Sequence, residues 1–213
     1  MHIIDIGLVD YQDALDEQKK LHAKVCDGSL KAAAIVCRHN PVITIGRSAK
    51  PGSLLLSRLE YEARGIQVVE AERGGDVTYH SPGQLVIYPI FPMGAFDNDL
   101  HAFLRFLENA IISALLSIGA DACRRESMTG VWVGQRKIAS IGIAVKRWVS
   151  YHGLSLIVKR DNLSDFSMIR PCGMNINMTS VESELKKTVL FDEITPHLLR
   201  SLTYGKCIAT TAR

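Results

Sequence analysis

Cys172 sits in Arg170-Pro171-Cys172-Gly173-Met174, with proline before it and glycine after. That pairing predicts a fixed turn, where a thiol is a poorer core filler than on an apolar strand or helix. A thiol becomes a nucleophile when a neighbouring cation or histidine favours the thiolate. His80, His152 and Lys137 are the candidates for that help. Lys137 opens the run Lys137-Ile138-Ala139-Ser140-Ile141-Gly142. Strand alternation there predicts Lys137 and Ala139 on one face, Ile138 and Ser140 on the other. The small residues leave space along the strand for a slim ligand. Plainer alternatives stand beside these readings. Lys137 can be a solvated lysine at a hairpin end. His152, in Tyr151-His152-Gly153-Leu154, can be a structural strand histidine.

A second segment is chemically unusual. Arg73-Gly74-Gly75-Asp76-Val77-Thr78-Tyr79-His80-Ser81-Pro82-Gly83-Gln84 packs three glycines and a proline among polar side chains, between two apolar stretches. Glycines let a backbone approach a ligand, and their amides can hold an oxyanion or phosphate. The alternative is a loop with demanding turns. It is neither a G-x-G-x-x-G fingerprint nor a P-loop.

The elements that must position these residues follow from patterning. A first helix is predicted from about Asp10 to Asp27, with Ala14, Leu15, Leu21 and Val25 on its apolar face and Gly28 at its end. Strands follow at 31–37 and 42–46, broken at His39-Asn40-Pro41, then a short helix at 54–63 and strands at 66–70 and 85–90. The clearest helix is 99–118, where Leu100, Phe103, Leu104, Leu107, Ile111, Leu115 and Ile118 keep helical spacing and Gly119 suits the C-terminal cap. A hairpin is expected from 130–133 and 137–145, then a strand at 150–158, a loop at 161–177, and helices at 180–187 and 196–202, the last with Thr195 as cap. Alternating elements followed by clustered strands predict an α/β (α+β) fold with a mixed sheet and flanking helices, in one domain over 1–213. Trp132 and Trp148 are expected to pack.

Composition excludes several classes. The 213 residues are 47% hydrophobic and 22% charged, with a formal net charge of +3. That is ordinary globular composition, long enough to bury a core, and too weakly basic to imply nucleic acid. A run of about 18 apolar residues is missing and Asp5 interrupts the N-terminus, so neither a membrane span nor a secretory signal is expected. The five cysteines, Cys26, Cys37, Cys123, Cys172 and Cys207, include no C-x-x-C pair. A disulfide framework or structural zinc is therefore not expected, and a reducing, cytosolic setting fits. Cys26, Cys37 and Cys123 read as buried residues in apolar or helical settings.

In this order, the segments resemble the lipoyl(octanoyl) transferases, also called lipoate-protein ligase B. The resemblance rests on His39-Asn40-Pro41 with Ile45-Gly46-Arg47, on Arg73–Tyr88, on Gly130-Val131-Trp132-Val133, on Lys137–Gly142, on Arg147–Leu154 and on Pro171-Cys172-Gly173. It covers most of the chain from about 35 to 180. It implies the fold of the biotin and lipoate ligases. It implies an acyltransferase that moves an octanoyl group from octanoyl-acyl carrier protein to a lysine of lipoyl domains, those of 2-oxoacid dehydrogenase E2 subunits and the glycine cleavage H protein. The family's acyl-thioester cysteine falls on Cys172, and the lysine that lowers its pKa on Lys137. The acyl-binding segments fall on Arg73 to His80, on Ser140, Ile141 and Gly142, and on Gly153, Leu154 and Ser155. His80 or Lys137 would take the proton released by the attacking amine. Neither cofactor nor metal is implied, and a monomer is expected. Ser81 and Asp76 depart from the family pattern, where glycine and glutamine are usual.

Two rivals remain at this level. An ATP-dependent ligase of the same fold would also use Lys137 but needs no thiol, and the short stretch after about 190 is expected to hold no accessory domain. A non-catalytic acyl-binding module would use the slot but neither Lys137 nor Cys172.

Overall fold

The computed structural model describes residues 1–161, 163–171 and 176–204. In chain order its elements are β1 (His2–Val9), α1 (Tyr11–Cys26), β2 (Ala33–His39), β3 (Val42–Ile45), α2 (Arg58–Glu62), β4 (Gln67–Glu70), β5 (Val77–His80) and β6 (Gln84–Ile90). There follow α3 (Leu100–Ser117), β7 (Cys123–Arg125), β8 (Met128–Val133), β9 (Arg136–Lys146), β10 (Val149–Ile157), α4 (Val181–Leu185) and α5 (Phe191–Tyr204). Seven strands form one sheet in the order β1-β2-β6-β10-β9-β8-β7, and three form a second in the order β4-β3-β5. β1 and β2 run parallel, as do β3 and β4, and the other ladders are antiparallel. The fold is the mixed sheet with flanking helices that the patterning predicts.

Alternation divides the large sheet between two cores. Ala34 and Val36 of β2, with Leu85 and Ile87 of β6, pack with Phe103, Leu107, Ile111 and Leu115 of α3 and with Ile194, Leu198 and Leu202 of α5. The intervening Ala33, Ile35, Cys37, Val86 and Tyr88 face the opposite way, toward Ala14, Leu21 and Val25 of α1. α3 is long and apolar enough to cross a membrane by length and composition alone. Here its apolar side is spent on the core.

Several expectations are corrected. β1 was not foreseen, because Asp5 and Gly7 interrupt its pattern and it lies half-exposed at the sheet edge. β5 hides inside the glycine-rich segment, and β7 is only three residues long. α5 starts at Phe191, not at Pro196, and the Thr195 hydroxyl donates back to the Phe191 carbonyl instead of capping. Pro196 lies inside the helix, where its missing N–H removes one intrahelical bond. Trp148 does not pack: it sits at the β9–β10 turn and is 60% exposed. Cys123 lies exposed on β7 at the sheet edge, whereas Cys37 is buried.

Candidate active site

A cavity of about 290 Å³ lies between the α1 face of the large sheet and β5 of the small one. It is at the small end for ligand cavities and suits a slim molecule. Its floor comes from β9 and β10. Ser140 pairs with Ser155 and Gly142 with Gly153 across the ladder, so small residues face one another along the slot. A side chain on Gly153 is impossible, since its Cβ would lie 2.2 Å from the Ile87 carbonyl oxygen.

Both strands break alternation at this floor. The β8–β9 register shifts between Val131 and Trp132, which pair with Ala139 and Lys137 and leave Ile138 as the extra residue. A bulge of this kind re-aims side chains. Ile138 and Ala139 therefore both enter the core, and Lys137 and Ser140 both line the cavity. This corrects the simple alternation that paired Lys137 with Ala139. On β10, His152 has φ +56°, and both it and Gly153 line the cavity.

Lys137 is fixed from three sides. Its backbone N–H donates to the Asn177 carbonyl at 2.8 Å, and its own carbonyl accepts from Thr179 N at 2.9 Å. Its Nζ lies 5.5 Å from the centroid of the buried Trp132 ring. Gly130, at φ +126°, leaves the space its side chain occupies. Glu108 of α3 holds Gly130 in turn: one carboxylate oxygen accepts from Gly130 N at 3.0 Å. The other pairs with Arg105 at 2.7 Å and Arg124 at 3.0 Å. Glu108 is buried, and together these three partners satisfy a carboxylate that would be costly to leave unpaired.

Toward the other end lie Arg73, His80, His152, Tyr11 and Tyr88. Arg73 is buried and donates to Thr44 through Nε and one terminal nitrogen and to the Gly74 carbonyl through the other. Burial lowers its pKa from the usual value, against the opposing pull of Tyr11, Tyr88 and Asp76. Burial, with His39 and Arg73 adding repulsion, holds His80 well below the ordinary histidine value. His152 is pushed down to about 4, mainly by burial and next by Arg73. Both imidazoles are thus neutral at neutral pH. His80 Nδ1 and His152 Nε2 are buried without a hydrogen-bond partner. His39, behind them, pairs through Nε2 with the Tyr88 hydroxyl at 2.7 Å, and burial lowers its pKa also.

The lipoyl protein ligase A/B catalytic domain matches residues 10–203. The chain is 42% identical over 197 residues to the octanoyltransferase of Caldicellulosiruptor saccharolyticus, a match covering 91% of this chain and 83% of that one. With the octanoyltransferase of Geotalea uraniireducens the identity is 41% over 195 residues, covering 91% and 87%. The chain belongs to the octanoyltransferase family. It is an acyltransferase by that membership. Among solved structures, a bipartite lipoate protein ligase from Thermoplasma acidophilum superposes with a TM-score of 0.70 at 17% identity, covering 95% of this chain and 82% of that one. A biotin protein ligase from Aquifex aeolicus gives 0.61 at 12% identity, covering 96% and 70%. Those two likenesses concern the fold.

The structure gathers most of the residues singled out for octanoyltransferase chemistry around one cavity. Lys137, His80, Arg73, Gly75, Asp76, Val77 and Thr78 line it, as do Ser140, Ile141, Gly142, Gly153, Leu154 and Ser155. Gly74 and Tyr79 stand outside the lining. Gly74 N donates to the Ile143 carbonyl at 2.8 Å. Tyr79 turns into the core of the small sheet, and its hydroxyl donates to Asp165 at 2.8 Å. Alternation along β5 explains this, because Tyr79 and His80 must point to opposite faces. Asp76 accepts from the Ser53 hydroxyl at 2.8 Å, and Ser81 is buried. Cys172 lies outside the described residues, as do Gly173 and Cys207. Sequence reasoning missed Tyr11, Tyr88 and Trp132 as lining residues. Trp132 was in a motif, but nothing in its own spacing distinguished lining from packing.

Proposed function

We propose that this octanoyltransferase moves an octanoyl group from acyl carrier protein to a lysine of lipoyl domains through a thioester on Cys172. The observation that supports this reading is that Lys137 shares one cavity with the described residues flanking the cysteine segment. Pro171 and Ile176, the described residues on either side, both line the cavity with Lys137. Asn177 and Thr179, a few residues on, bond the Lys137 backbone.

The chemistry has two balanced steps. The Cys172 thiolate attacks the acyl carbonyl, the bond to the carrier sulfur breaks, and the carrier leaves as a thiol after taking a proton from the Lys137 ammonium. The acceptor lysine amine then attacks the enzyme thioester. The C–S bond to Cys172 breaks, an amide forms, and the amine proton passes to Lys137, by then a neutral amine, or to His80. A thiolate suits both steps, being a good nucleophile and a good leaving group. The Lys137 ammonium would favour that thiolate. The lipoyl domains of 2-oxoacid dehydrogenase E2 subunits and the glycine cleavage H protein are the acceptors this reading names.

Incubation with octanoyl-carrier protein, followed by intact mass, tests it. One octanoyl adduct should form without ATP, and Cys172→Ser should lose both adduct and turnover while keeping its fold. Full transfer by Cys172→Ser, or transfer that requires ATP, would overturn the thioester route.

A further inference from the structure

We propose that Glu108 of α3 is a positioning residue for the acyl transfer, setting the place of Lys137 through its bond to Gly130. The inference rests on Lys137 being the lysine that favours the reactive thiolate. The buried positions of α3 are otherwise apolar: Phe103, Leu107, Ala110, Ile111, Ala114 and Leu115. Glu108 is the exception, at 1% exposure. Stability is a weak reason for a carboxylate there, because replacing a buried ion pair by apolar residues is often neutral or stabilising. An apolar side chain would fill the position but could accept no hydrogen bond.

The bond Glu108 accepts comes from the peptide joining Thr129 to Gly130, at 3.0 Å. Thr129 lines the cavity. The β8–β9 pairs run from Val133 with Arg136 to Val131 with Ala139, so Gly130 lies just past that register. The carboxylate thus fixes β8 where its pairing with β9 ends. Strand alternation puts Gly130 on the same side of β8 as Trp132. The Lys137 side chain lies across both. Its Nζ is 5.5 Å from the Trp132 ring centroid and 3.1 Å from where a Gly130 Cβ would stand. Packing this close leaves no slack, so a shift of the Gly130 peptide moves the lysine. The other carboxylate oxygen serves Arg105 and Arg124, whose side chains are 55% and 34% exposed. Those cations have room to follow a displaced carboxylate or to turn to water. The buried backbone N–H has neither freedom.

Two conservative substitutions separate the two roles of the carboxylate. Glu108→Gln keeps an acceptor for Gly130 N and loses the charge that the arginines pair with. Glu108→Asp keeps the charge and draws the acceptor back by about 1.5 Å, one bond length. The measurement is the rate of thiol alkylation against pH, beside kcat/KM and Tm. Glu108→Asp should move the alkylation midpoint up toward about 8.5, as Lys137→Ala does, and lower kcat/KM about tenfold or more. Glu108→Gln should stay near the wild-type midpoint despite a lower Tm. Arg105→Gln breaks an ion pair without touching Gly130, so it should also lower Tm and leave the midpoint in place. It takes the place of Glu108→Gln if that variant does not fold. A carboxylate that served only its ion pairs would rank the variants the other way. An unshifted Glu108→Asp, or a midpoint in Glu108→Gln or Arg105→Gln shifted as far as in Glu108→Asp, overturns the inference. An unshifted Lys137→Ala would instead overturn the reading of the lysine on which it rests.

Discussion

A Cβ on Gly130 would lie 2.6 Å from Lys137 Cε and 2.7 Å from the Ala139 carbonyl oxygen. The lysine therefore lies across a backbone that only glycine can supply, at a φ of +126°. Gly130→Ala must displace Lys137, spread β8 from β9, or both. The expected result is a fall in kcat/KM of about tenfold or more and a lower Tm. The alkylation of the reactive thiol should move toward the unperturbed midpoint near pH 8.5. Lys137→Ala should reproduce the alkylation shift without the loss in Tm. Lys137→Arg should restore part of it, since it keeps the charge but not the shape or the proton chemistry. An alkylation profile that ignores Lys137→Ala would reduce Lys137 to a structural cation.

Three buried histidines give the fold a pH window of its own. Burial lowers the pKa of His39, His80 and His152, the last to about 4. In the unfolded chain they titrate near 6.5. Between these values the unfolded state binds more protons than the folded one, so stability falls as pH falls from about 6.5 toward 4. For His152 alone the loss approaches about 3 kcal/mol at the bottom of the window. Denaturant unfolding at pH 7, 6 and 5 should show the midpoint dropping at each step. His152→Asn should flatten the slope. Equal midpoints at pH 7 and 5 would mean that the cluster already accepts protons in the folded state.

The legible part of this molecule is what depends on neighbours in sequence. The helix around Leu100–Ser117 was predicted within one residue at each end, because its apolar spacing and its flanking Asp99 and Gly119 are local signals. Ser140 and Gly142 of β9 are readable as small residues along a strand, whereas Ala139, read with them, enters the core, and Gly153 and Ser155 of β10 come only with the resemblance. The facing of Lys137 was not readable, because the bulge at Ile138 exists only in register with β8. Nor was the polar end of the cavity, where Tyr11 comes from the start of α1, Tyr88 from β6 and His152 from β10. No local pattern marks residues that meet only after α1 packs on the sheet. Tyr79 enters the expected site because the resemblance carries the whole segment Arg73 to His80, and strand alternation, unread in that segment, turns it away from the cavity. Gly130 and Glu108 were silent, since neither a lone glycine nor a helix carboxylate announces its partner.

The basic pairs of the chain divide once their neighbours are known. Arg124 pairs with the buried Glu108 at 3.0 Å, Arg136 with Glu184 at 2.9 Å, and Lys159 and Arg160 both with Glu182, at 3.0 and 3.8 Å. Lys146 and Arg147 instead stand exposed at the β9–β10 turn beside Trp148, with Arg147 and Trp148 at φ +52° and +58°. The turn is held from beneath, where Met93 N donates to the Trp148 carbonyl at 2.8 Å and His22 Nε2 contacts the Lys146 and Val149 carbonyls at 3.1 and 3.2 Å. An acidic acyl carrier would be steered by this turn more than by the paired cations. Such steering acts on association and is screened beyond about 8 Å at physiological salt. The expected outcome is that kcat/KM for the octanoyl-carrier substrate falls steeply with added salt, whereas a small uncharged octanoyl thioester barely responds. Lys146→Glu with Arg147→Glu should mimic high salt for the carrier alone. Arg124→Glu should act differently: it sets a second carboxylate against Glu108, so it should lower Tm and slow both substrates together. If the turn reversal also slows both substrates equally, the turn supports the fold and the carrier docks elsewhere.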